Sequence, residues 1–532
     1  MDADRWWKEG VIYQIYPRSF ADGNGDGFGD LPGIIEKLDV LQELGIDGIW
    51  ISPFFPTPDV DLGYDITDYC NVDPRMGTMA DYDRLVEAAH RRGIHVIVDL
   101  VLNHTSDRHP WFIQSRSSRD NPYHDWYLWR DPKPGKKRPN NWASIFGGHG
   151  WEYDEHLDQY YFHMFYKEQP DLNWRNPAVV DEVRKIMRFW LDHGTDGFRL
   201  DVFGAYFKDA MFRDNPTKLG LRYFDRQEHI YDADQPEMMP WLREMRAIMD
   251  EKPGRYLVGE TFFPNPEKAA RYCGPGLLHG TFNFELSNTP WSASKFAKAI
   301  QRWETVLAKN AWPTNFLSNH DQARAADRLA HGEDDERLKV AAAMLLTLRG
   351  TPYIYYGEEI GMRGPRIKRA DIIDPLSKKY WPFYPARDKA RSVAQWSGQE
   401  YAGFSPVKPA YPLHPNFTKR NVEAQRADPN SLFNFYKKLI HIRKELPALR
   451  QGKYQPVSDD PRVILAYLRQ TEDQTVLVVL NMGGKLTPFF LGGALTGMKW
   501  EFVLSNKRTT LPVLSNQTIL LEGEEALILK AV

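Results

Sequence analysis

The chain has 532 residues, of which 42% are hydrophobic and 26% charged, with a formal net charge of −3. That length is enough for a large barrel with smaller domains, and the near-neutral balance gives no reason to expect a nucleic-acid partner. No run of about 18 apolar residues predicts a membrane span, and only Cys70 and Cys273 are present, which excludes a disulfide framework and fits a reducing, cytoplasmic compartment.

The start, through Trp6-Trp7, has neither a basic stretch nor an apolar run, so no leader is expected. The β-branched and aromatic run 11–17 predicts a first strand. After it, Asp22, Asn24, Asp26 and Asp30 alternate with glycines, and Phe28 supplies a backbone carbonyl. Oxygen at every second position lets a loop wrap a hard cation, so these five residues are predicted to hold a structural calcium or magnesium ion. Gly33 stands where an EF-hand has its bidentate Glu, so the loop is not an EF-hand.

Residues 34–45 predict a helix and 48–52 a strand, followed by a helix at 81–92 and a strand at 95–101. Asn176-Pro177 opens a helix whose apolar positions Val180, Val183, Met187, Trp190 and Leu191 follow the helical period, and Gly194 closes it. Strands are then predicted at 197–202, 256–259, 281–284, 315–318 and 352–356. Eight short buried strands alternating with helices predict a (β/α)8 TIM barrel. The tract 104–172 is too long for a simple connection and reads as an inserted small domain, splitting the barrel into 1–103 and 173–456. Residues 364–425 read as a long loop over the active face, and from 457 to 532 alternating strands predict a C-terminal antiparallel β domain.

In such a barrel reactive groups sit at the C-terminal strand ends. There the chain carries Tyr64 and Asp65, Asp99 and His104, Arg199 and Asp201, Glu260, and His320 and Asp321. Two carboxylates in different environments suit glycoside hydrolysis, one ionised and attacking, the other protonated and donating. Arg199 beside Asp201 predicts an ionised nucleophile. Glu260 has no cation adjacent in sequence and is the better acid.

The blocks Asp99-Leu100-Val101-Leu102-Asn103-His104, 197–202, Leu257-Val258-Gly259-Glu260 and Phe316-Leu317-Ser318-Asn319-His320-Asp321 resemble, in order and spacing, those of the α-amylase family of glycoside hydrolases. Gln169-Pro170-Asp171-Leu172-Asn173 resembles its oligo-1,6-glucosidase and α-glucosidase branch. The resemblance implies a retaining, exo-acting α-glucosidase on short α-1,4 or α-1,6 glucosides. Asp201 is then the nucleophile, Glu260 the acid/base and Asp321 the third carboxylate. Tyr64, Asp65, His104, Phe165, Arg199, His320 and Arg387 line the glucose subsite. The alternative is a glucosyltransferase or sugar isomerase using the same covalent intermediate. Val202 resembles enzymes that accept α-1,6 links. No organic cofactor is implied, and the expected assembly is a monomer or small homo-oligomer.

Overall fold

The computed structural model describes residues 5–261, 265–308, 311–382, 387–457, 462–511 and 517–532. Residues 1–4, part of the start read for a leader, lie outside them. The described barrel strands are β1 (Ile12–Ile15), β2 (Gly48–Ile51) and β3 (His95–Leu100); the inserted tract contributes β4 (Trp129–Arg130), β5 (Trp151–Asp154) and β6 (Gln159–Phe162); the barrel resumes with β7 (Gly197–Leu200), β8 (Tyr256–Gly259), β9 (Gly280–Thr281), β10 (Thr314–Phe316) and β11 (Thr351–Tyr355).

The barrel strands run parallel in the order β10-β11-β1-β2-β3-β7-β8-β9. A single parallel bridge between Phe282 and Thr314 joins the two remaining edges, so eight strands form the predicted TIM barrel. The strands are buried on both faces, as the near-continuous apolar runs require. Ile12, Trp50, Ile97, Tyr256, Val258, Phe282, Phe316 and Tyr353 fill the interior with Trp6. The sixth strand is shorter than predicted. Asn283 caps a helix over Phe284–Asn288 by accepting from the Leu286 N–H, which takes Phe284 out of the sheet.

The helices begin where side chains can satisfy their first N–H groups. Asp30 accepts from Gly33 to open Leu31–Leu44, and Asn176 accepts from Ala178 to open Pro177–Asp192. The latter buries Val179, Val183, Ile186, Met187, Trp190 and Leu191. Val180, expected on that face, is only half-buried and packs at its edge.

Within 104–172 the three strands form an antiparallel sheet ordered β4-β6-β5, with a separate aromatic core that includes Trp142, Trp151, Phe162 and Phe165. The 364–425 tract is not one loop. Asp374 caps Pro375–Lys379, a turn of helix spans Arg387–Ala390, and Asn421 caps Val422–Ala427. A five-stranded antiparallel sheet follows; its first strand, Lys453–Pro456, lies ahead of the expected start at 457 because it pairs with Tyr467–Gln470.

Candidate active site

Strand register places the charges. Asp99 on β3 is the cross-strand partner of Arg199 on β7, and Arg199 is the partner of Val258 on β8, two residues before Glu260. The same guanidinium therefore reaches three carboxylates. Arg199 Nη1 donates to Asp99 Oδ1 at 2.8 Å and to Asp201 Oδ1 at 2.6 Å, while Nη2 contacts Glu260 Oε2. Glu260, which has no cation beside it in sequence, shares in the fold the one assigned to Asp201.

The consequence for Asp201 differs from the expectation of a lowered pKa. Burial raises it to about 6; Arg199 opposes this, but the charge of Asp99 adds to it. Burial also raises Asp99, against Arg199 and the donors Tyr64 and Trp50. Directly after Asp201 the chain turns sharply. Val202 has φ 34° and ψ 40°, a left-handed conformation that strains a β-branched residue and throws its side chain into the cavity.

Asp321 is the carboxylate most firmly held in its charged form. Burial opposes ionisation, yet the charged Arg391 and Arg387 guanidinium groups hold it well below the usual range. Arg391 Nη2 lies 2.6 Å and Arg387 Nη1 3.3 Å from Oδ1. Burial lowers His320 to about 3, so the ring is neutral. Gln14 donates to its Nδ1 at 2.8 Å, leaving Nε2–H to face the Tyr64 hydroxyl at 2.6 Å; that hydroxyl donates to Asp99 Oδ2 at 3.1 Å.

These groups surround a cavity of about 190 Å³ lined by Tyr64, His104, Asp201, Glu260, Asp321 and Arg387, with Asp61, Phe146, Phe165 and Val202. That volume is below the ~300 Å³ floor of drug-sized sites and suits a single sugar ring. Phe165 packs 5.0 Å from the His104 ring. Arg199 and His320, expected to line the subsite, do not line this cavity; they are buried behind it, Arg199 against Asp201 and Glu260 and His320 against Tyr64 and Asp321.

Asp65 is not at the cavity. Its oxygens accept from the Thr57 hydroxyl at 2.9 Å, the Asp61 N–H at 3.0 Å and the Val60 N–H at 2.8 Å, so it shapes the loop. Asp61 stands there instead, 2.7 Å from Arg387 Nη2, which Asp374 also holds at 2.7 Å. Sequence reasoning missed Asp61, Asp374 and the role of Arg391. The available signal for Arg391 was its place four residues after Arg387, on the same helical face.

The 22–30 loop folds on its own oxygens. Asp22 accepts from the Gly25 and Gly27 N–H groups, each at 2.7 Å; Asn24 accepts from Asp26 at 2.9 Å, and Asp26 from Phe28 at 2.8 Å. Asp30 accepts from Gly23, Asn24 and Gly33. Among the described residues no ion pair involves Asp22, Asp26 or Asp30, and no cluster of three or more His, Cys, Asp or Glu side chains is arranged for a metal. Burial raises Asp30, and the neighbouring Asp22 charge adds to it. The side chains are of the hard-oxygen type that calcium or magnesium takes, but in this structure their oxygens accept from the loop's own N–H groups.

A domain model described as the alpha amylase catalytic domain matches residues 14–452. The chain belongs to the α-amylase family. Within that family it is 42% identical to an oligo-1,6-glucosidase of Parageobacillus thermoglucosidasius, over 94% of each chain. A crystal structure of an alpha-glucosyl transfer enzyme superposes with a TM-score of 0.94 at 38% identity, covering 99% of both chains. The trehalulose synthase of Pseudomonas mesoacidophila MX-45 superposes at 0.91 and 35% identity, again over 99% of both.

Proposed function

We propose that the protein is a retaining, exo-acting α-glucosidase that releases α-glucose from the non-reducing end of short α-1,4 and α-1,6 glucosides. The observation that carries this is the pairing of Asp201 and Glu260 with the two ends of one guanidinium at the wall of a one-ring cavity. That arrangement keeps both carboxyl groups within reach of the ~5–5.5 Å separation of retaining enzymes.

Asp201 attacks the anomeric carbon, and its carboxylate becomes the ester of a glucosyl-enzyme. Glu260 gives a proton to the leaving oxygen, then takes one from the water that hydrolyses the ester. Asp321, kept ionised by two arginines, binds ring hydroxyls and gains grip as positive charge develops at the anomeric centre. Asp61 and Arg387 close the far end of the pocket against a longer non-reducing chain, which makes the action exo.

The likeness to a glucosyl transfer enzyme and a trehalulose synthase favours a second reading, in which a sugar rather than water takes the glucosyl group. Product analysis on maltose, isomaltose and sucrose separates the two. Free α-glucose as the main product at low substrate concentration supports hydrolysis; a new trisaccharide or a rearranged disaccharide supports transfer or isomerisation. Asp201→Asn should lower turnover by at least ~10⁴-fold, the scale of losing a covalent nucleophile, with the fold intact; appreciable remaining turnover refutes the nucleophile assignment.

A calcium or magnesium ion in the 22–30 loop would be held by Asp22, Asn24, Asp26, the Phe28 carbonyl and Asp30, and would brace the loop without touching substrate. Cys70 and Cys273 are unpaired thiols, and among the described residues no helix is long and apolar enough to cross a membrane. A cytoplasmic enzyme, monomeric or a small homo-oligomer, accords with both.

A further inference from the structure

Lys208 lies seven residues after Asp201, takes no part in the chemistry above, and has a fully buried side chain. A buried ammonium persists only when its donors are satisfied. Here Nζ donates to Asn103 Oδ1 at 2.9 Å and contacts Asp171 Oδ2 and the Ala205 carbonyl. Those oxygens come from the end of β3, the closing stretch of the inserted tract, and the turn after β7. Burial lowers the ammonium's pKa while Asp171 raises it.

The geometry has a specific consequence one residue away. An ammonium only donates, so it can face only the oxygen of Asn103. The Asn103 NH2 must then point the other way, to Asp171 Oδ2 at 3.0 Å and His104 Nδ1 at 3.1 Å. A donor facing Nδ1 makes that nitrogen the acceptor and puts the ring proton on Nε2, which lies 2.9 Å from the Tyr64 carbonyl. A competing arrangement is built into the same site. Gln169 Nε2 sits 3.0 Å from His104 Nε2 and 3.1 Å from the Tyr64 carbonyl. Were Asn103 to turn its oxygen toward Nδ1, the ring would carry its proton there and accept from Gln169 instead.

We propose that Lys208 is a positioning residue that, by fixing the orientation of Asn103, selects the Nε2–H tautomer of His104 and so makes His104 a hydrogen-bond donor to the bound sugar. This rests on the α-glucosidase reading of the cavity. The Tyr64 carbonyl holds that proton in the free protein; an incoming hydroxyl oxygen replaces it.

The test is a double-mutant cycle on 4-nitrophenyl α-glucoside with Lys208→Met, His104→Ala and their combination, read with the ¹⁵N spectrum of histidine-labelled protein. Lys208→Met should lower kcat/KM about 10-fold when His104 is present and less than about 2-fold when it is Ala. The His104 signals, identified by their loss in His104→Ala, should show a protonated Nε2 in the wild type and lose that pattern in Lys208→Met. Equal losses in both backgrounds with an unchanged imidazole pattern overturn the proposal. If Lys208→Met does not fold, Asn103→Leu removes the relay while keeping the Lys208–Asp171 pair, and the same two readouts apply. A wild type without α-glucoside turnover would refute the reading of the cavity, and the ¹⁵N pattern would still decide the tautomer.

Discussion

Asp99→Asn is the sharpest probe of how the shared guanidinium sets the pH range of activity. Asp99 and Asp201 both accept from Arg199 Nη1, at 2.8 and 2.6 Å, so the two bonded oxygens are at most about 5.4 Å apart. At an effective dielectric of about 20, two unit charges at that distance repel by ~3 kcal/mol, or roughly two pKa units. The two carboxyl groups titrate as a coupled pair, so the repulsion is shared between them and the expected effect on Asp201 is about one unit. The nucleophile must be ionised in the free enzyme. The acid limb of kcat/KM should therefore fall off near pH 6 in the wild type, where burial has raised Asp201 to about 6. Replacing Asp99 by Asn removes a negative neighbour, so the limb should move down to about pH 5. Asn keeps the size of Asp99 and its oxygen can still accept from Tyr64 and Trp50, while its NH2 leaves Arg199 Nη1 to Asp201 alone. The assay is kcat/KM for 4-nitrophenyl α-glucoside from pH 4 to 8. An acid limb that stays put or moves upward refutes the view that Asp99 raises the nucleophile.

Two further outcomes concern stability. Burial raises Glu359 to about 7, and among the described residues its Oε2 has no hydrogen-bond partner. A carboxyl whose pKa is raised by folding destabilises the native state increasingly as pH climbs from about 4.5 to about 7, reaching ~3 kcal/mol above that window. Glu359→Gln should therefore gain on the wild type between pH 5 and pH 8 by roughly 3 °C in relative Tm; a pH-independent difference would count against it. For the 22–30 loop, chelation should lower Tm while kcat at temperatures well below it stays the same. An unchanged Tm on removing divalent ions would argue against a bound ion.

The barrel was legible because parallel strands covered on both faces are written as short apolar runs, and the period of two then puts Asp99, Arg199, Asp201 and Glu260 at one end. What the chain did not spell out was the sharing of charge. Arg199 is next but one to Asp201 in sequence, which suggests a private pair; only the cross-strand register with Asp99 and Val258 makes it common to three carboxylates. The exchange of Asp65 for Asp61 has a similar origin. Both lie beside Tyr64 on one loop, and which carboxylate turns inward depends on the backbone N–H groups of Val60 and Asp61 that Asp65 collects. Arg391 and Asp374 were hidden in a tract without periodicity, where short capped helices leave little pattern.

The crowding of carboxylates around few arginines also decides what kind of molecule the cavity admits. Asp61, Asp99, Asp201, Glu260, Asp321 and Asp374 stand against Arg199, Arg387 and Arg391, so carboxyl groups outnumber guanidinium groups around the pocket and bias its potential toward the negative. Low-dielectric walls focus such a field. Neutral sugars should therefore enter without hindrance, while sugar phosphates and uronic acids should be repelled at the glucose site and protonated amino sugars drawn in. The discrimination is steepest in dilute salt and fades as ionic strength shortens the reach of the field.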